Sequence, residues 1–91
     1  MELNELRARL DALDDIITDT FTQRMALVAQ VADYKREHAM RTLDEKREER
    51  IIARLIERAG ADMAPYVAAL YRTLLSQSRA YQSRLREKGE A

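Results

Sequence analysis

LNELRARLDALDDIITDTFTQRMALVAQVADY, residues Leu3 to Tyr34, decides the fold. Within it Leu3, Leu6, Leu10, Leu13, Ile17, Thr20, Arg24, Leu27, Val31 and Tyr34 recur at alternating steps of three and four, the spacing of a helix side laid against another helix. No glycine or proline interrupts the run, so it predicts one helix from about Leu3 to about Ala39. At 1.5 Å per residue such a helix is about 55 Å long, whereas a compact chain of this size has a radius of gyration of roughly 12 Å. One chain cannot cover a seam of that length. The expectation is an intertwined homodimer in which helix one of each copy packs along the other.

Two residues break the seam, Thr20 and Arg24. A guanidinium on an apolar stripe usually signals a structural ion pair or a stem that reaches back to water. Lys35 changes the balance, because it follows Arg24 by three helical turns with a residual of about 20° and so points the same way. Two cations on one buried side call for an anion. Arg7 lies about 25 Å along the helix from Arg24 and about 260° around it, so it cannot join them within its own subunit but could do so across the dimer.

Two further helices are expected. Thr42 and Glu45 have capping-box spacing for a second helix that ends near Gly60, and Asp62 to Pro65 resembles the cap and first turn of a third that runs to about Arg86. Both repeat the pattern of polar groups on apolar faces. Asp44, Arg47 and Glu48 stand at the entrance of a stripe continued by Ile51, Ile52 and Leu55. In helix three the inward stripe is Val67, Leu70, Leu74, Ser78, Tyr81, Gln82 and Leu85, which Ser78 and Gln82 interrupt together. A local salt bridge or a satisfied backbone group explains any one of these; interruptions in all three helices point to a shared site.

Composition narrows the chemistry. The chain is read as one all-α domain over residues 1–91, with 46% hydrophobic and 35% charged residues, enough for a small core. It has no cysteine and one histidine, His38, so neither thiolate nor histidine-cluster metal sites are expected. Sixteen basic and sixteen acidic residues cancel, which removes the footprint of a general nucleic-acid binder. No apolar run reaches a membrane span and the first residues carry acids rather than the cations of a signal peptide, so the chain reads as cytoplasmic. Cations, neutral hydrogen-bonders and two acids on apolar faces suit a compact dicarboxylate that bears a hydroxyl and a central oxygen.

The order Leu6-Arg7, Leu13-Asp14, Arg24, Lys35, Asp44-x-x-Arg47-Glu48 and Ser78-x-x-x-Gln82 resembles the all-helical chorismate mutases, from about Leu6 to about Leu85. Where the family often has a proline followed by valine before the aspartate, this chain reads Met40-Arg41-Thr42-Leu43. The resemblance implies a homodimer of three helices per chain that rearranges chorismate to prephenate, with no cofactor required, for aromatic amino-acid biosynthesis. By the same likeness, Arg24 and the partner subunit's Arg7 would clamp the two carboxylates, with Arg47 and Ser78 in support. Lys35 and Gln82 would donate to the ether oxygen, Glu48 and the backbone near Asp44 would accept from the ring hydroxyl, and Val31, Ile51 and Leu75 would form the apolar wall. Three alternatives stand beside it: a nucleic-acid-binding helical dimer, disfavoured by the zero net charge, and two others. One is an isochorismate-pyruvate lyase on the same scaffold, disfavoured because both Asp44 and Glu48 are present. The other is a non-enzymatic helical dimerisation module in which the buried polar residues set specificity.

Overall fold

The computed structural model describes residues 1–90 and contains three helices, α1 (Leu3–Glu37), α2 (Glu45–Ala59) and α3 (Ala64–Glu90). The chain belongs to the all-α class expected of it, with no strand among the described residues. α3 is the central element: it packs against both α1 and α2, whose backbones do not approach each other. It runs parallel to α1, so that Arg24 meets Ser78 and, further on, Arg36 lies against Gly89. It runs antiparallel to α2, so that Glu48 meets Arg79 while Thr42 meets Arg86.

The helix boundaries follow from local chemistry and differ from the sequence reading in three places. α1 stops at Glu37 rather than Ala39, because Ala39 adopts a left-handed φ of 54° and the N–H groups of Ala39 and Met40 turn back to the carbonyls of Arg36 and Lys35. α2 is capped by Asp44, whose carboxylate accepts from the Arg47 N–H at 3.0 Å; Thr42 is not the cap and is held by other partners. The left-handed Gly60, φ 88°, ends α2, and its carbonyl takes the N–H groups of Met63 and Ala64 as α3 begins. Asp62 therefore lies within the turn, and α3 continues past Arg86 to Glu90.

Packing corrects the seam as well. The residues of α1 buried within the chain are Val28 and Ala32, one position on from Leu27 and Val31, which are exposed together with Tyr34. Val28, Ala32, Ile51, Ala68 and Leu75 are the buried apolar core, which is small. On α3, Leu70 is exposed although its stripe suggested burial, and Ala68 and Leu75 are buried instead. The molecule measures 53 × 27 × 14 Å with a radius of gyration of 16.3 Å, well above the roughly 12 Å of a compact chain of this length. Every residue up to Thr20 is exposed. The first half of α1 thus carries its leucines and isoleucines away from the other helices, and an open apolar groove lined by Ile16, Ile17, Phe21, Leu70 and Leu74 runs beside it. No helix among the described residues is long and apolar enough to cross a membrane.

Candidate active site

A cavity of about 150 Å³ opens between the second half of α1, the start of α2 and the middle of α3. Periodicity explains how α3 serves it. Leu75, Ser78, Arg79 and Gln82 are related by steps of three and four, so they form one continuous patch of the helix and all line the cavity. Arg24, Val28, Val31 and Lys35 do the same from α1, and Asp44, Arg47, Glu48 and Ile51 from the capped end of α2. Seven of the eight polar residues singled out in the sequence (Arg24, Lys35, Asp44, Arg47, Glu48, Ser78 and Gln82) therefore share one space. Arg7 does not. It is exposed on the free half of α1, far from this cavity in its own chain.

The contacts show which groups are committed and which are free. Arg24 Nη1 donates to Ser78 Oγ at 3.0 Å, and the Ser78 hydroxyl lies 3.0 Å from the Leu74 carbonyl, to which it donates. Buried Ser78 thereby holds the guanidinium rather than offering its own proton. Lys35 Nζ donates to the Thr42 carbonyl at 2.8 Å, which uses one of three N–H donors and leaves two for a ligand. The Thr42 hydroxyl accepts from Arg86 Nη1 at 2.9 Å, so the segment before α2 is tied to α3 on one side and to Lys35 on the other.

Gln82 differs from its neighbours. It is buried, yet its Oε1 has no hydrogen-bond partner. A buried acceptor left without a partner costs roughly 1 to 3 kcal/mol, and in native proteins such an atom is completed by water, an ion or a ligand. Rotation about the last side-chain bond exchanges its oxygen and nitrogen, so the same group can present a donor.

Arg79, Thr42 and Val28 also line the cavity, and the sequence reading passed over them as site residues. Arg79 pairs with Glu48 across the gap between α3 and α2. The signal was available, since Arg79 stands four residues after Leu75 and three before Gln82, but an arginine beside a stripe reads first as a solvated flank. With it the cavity has four cations, Arg24, Lys35, Arg47 and Arg79, against the two carboxylates of Asp44 and Glu48. The excess of two positive charges suits a dianion, and Val28, Val31, Ile51 and Leu75 provide the apolar remainder of the wall.

Among the described residues the fold is all-helical and its cavity is rich in cations, the setting of a protein whose site suits a small dianion. The family model for chorismate mutase type II matches residues 6–83. The chain belongs to that family, the all-helical chorismate mutases, and is an intramolecular isomerase. Searches of curated proteins and of solved structures returned no match.

Proposed function

We propose that this chain converts chorismate to prephenate by holding the substrate in its compact reactive conformer and stabilising the negative charge that develops on the ether oxygen. In this pericyclic step the bond between the ring carbon and the ether oxygen breaks, a carbon-carbon bond forms between the enolpyruvyl methylene carbon and the ring, and the ether oxygen becomes a ketone carbonyl. The electrons move in a closed cycle and no proton is transferred. An enzyme contributes orientation and preorganised charge, which are worth most in a cavity with little water.

In this reading Arg24, fixed by Ser78, binds one substrate carboxylate, with Arg47 adding charge at the same end. The two free donors of Lys35 and the amide of Gln82 converge on the ether oxygen. Glu48 accepts from the ring hydroxyl, with Asp44 at the same mouth of the cavity. The observation that carries the reading is the buried Gln82 side chain, whose Oε1 lacks a partner, in the cavity that Lys35 also lines.

Arg7 completes the site from a second copy. The exposed apolar half of α1, too long for its own chain to cover, supports a homodimer in which this half lies along the partner and delivers Arg7 to the partner's cavity. The product would feed phenylalanine and tyrosine formation. The test is to incubate the protein with chorismate and with isochorismate in parallel and to identify the products. Prephenate from chorismate is expected; pyruvate released from isochorismate with chorismate untouched would overturn the proposal in favour of the lyase.

A further inference from the structure

Glu48 has a protein partner that the reaction itself does not require. Its carboxylate lies in the cavity wall at the first turns of α2, and the Arg79 guanidinium reaches it from α3. Their side chains retain 21% and 33% of their accessible surface, so both are partly withdrawn from water and the pair is screened less than a surface ion pair. The contact is made through Glu48 Oε1, and among the described residues Oε2 makes no ion pair of its own. An ionised carboxylate has about four acceptor positions, and one guanidinium contact leaves most of them open.

We propose that Arg79 is a positioning residue for the substrate hydroxyl: it holds the Glu48 carboxylate by one oxygen and so fixes the other as a ready acceptor. The proposal rests on the chorismate mutase reading above and adds a residue to it. A free glutamate has three rotatable side-chain bonds and would have to be ordered whenever substrate binds. Arg79 orders it beforehand, and its own place is set by the same α3 patch that presents Ser78 and Gln82. The residue therefore links two ends of the site through geometry rather than by touching the reacting atoms.

The experiment is a double-mutant cycle on the full chain, with Arg79→Met, Glu48→Gln and the two combined, and kcat and KM measured for chorismate. Thermal melts followed by circular dichroism report folding separately. Arg79→Met should lower kcat/KM about tenfold, chiefly by raising KM, because a hydroxyl grip held in both ground and transition states acts on binding. Arg79→Lys should recover part of the loss. In the Glu48→Gln background the same Arg79→Met change should alter kcat/KM less than twofold, since the ionised carboxylate that the guanidinium grips is gone.

A tenfold loss in both backgrounds would overturn the proposal, as would a loss under twofold in the otherwise unaltered chain. Should Arg79→Met fail to fold, Arg79→Gln carries the same prediction. Where turnover is too slow to follow, calorimetric affinity for prephenate gives the same cycle. Absence of chorismate turnover in the unaltered chain would remove the functional reading itself, a result seen before any variant is compared.

Discussion

Replacing Ile17 with glutamate should take the proposed dimer apart. If Arg7 of one chain reaches the partner's cavity beside Arg24, and symmetry requires the reverse, the two α1 helices run antiparallel with their midpoint near Asp15 and Ile16. Ile17 then stands beside the two-fold axis and close to its own copy. In the single chain it retains 64% of its accessible surface. Full burial of an isoleucine contributes roughly 1.5 to 3 kcal/mol, so covering that remainder is worth about 1 to 2 kcal/mol per chain. A glutamate forfeits this and adds the cost of drying a carboxylate beside a second one, which brings the loss to at least about 2 kcal/mol per chain. Symmetry doubles it to about 4 kcal/mol, or roughly a thousandfold in the dissociation constant. Sedimentation at micromolar concentration should show the unaltered chain at twice its 10.6 kDa mass and Ile17→Glu as a single chain. Chorismate turnover should fall with the dimer. A variant that still sediments as a dimer, or an unaltered chain that does not, would refute the argument from exposed surface.

Lys35→Ala should reduce turnover by about 3 to 4 kcal/mol in the barrier, the typical worth of one preorganised donor, while leaving the helices intact by circular dichroism; near-normal rates would sink its role at the ether oxygen. Mixing Arg7→Ala with Lys35→Ala, each inactive alone, should restore about a quarter of the activity after random reassortment, because each heterodimer regains one intact site. No recovery, with exchange verified by mass spectrometry, would place Arg7 outside the shared site. Gln82→Glu keeps the shape of a buried side chain but donates only when protonated, so its activity should be present in acid and decline towards neutral pH. A flat profile over that range would show that Gln82 is not the donor.

Helix number, helix order and the grouping of the polar residues were legible because each rests on a helical period. Arg24 and Lys35 share a side of α1 for the same reason that Ser78 and Gln82 share a side of α3. What period alone could not resolve was the neighbour each face meets. The long seam through Leu27 and Val31 is a mixed surface, and only Val28 and Ala32 beside it are buried within the chain. Loop chemistry was ambiguous in another way: Thr42 and Asp44 are both capping residues by type, and tertiary partners decide between them. Lys35 and Arg86 engage Thr42, which leaves Asp44 to cap α2. Arg79 could have been placed on the site patch by its spacing from Leu75 and Gln82, but its pairing with Glu48 joins residues 31 apart in sequence, which no local spacing encodes.

The unbroken course of α1 also bears on how such a chain can change length over generations. Deleting one residue between Arg24 and Lys35 would swing the lysine about 100° and draw it about 1.5 Å along the axis, off the cavity altogether. Even a two-turn insertion, which nearly restores direction, would push the two cations about 10 Å further apart. At Gly60 nothing among the described residues beyond its chain neighbours lies within 4 Å of an added side-chain carbon, so the limit there is its φ of 88° rather than packing against another helix. Insertions and deletions should therefore be tolerated better in the turn between α2 and α3 than within α1, which acts as a ruler setting the distance from Arg24 to Lys35.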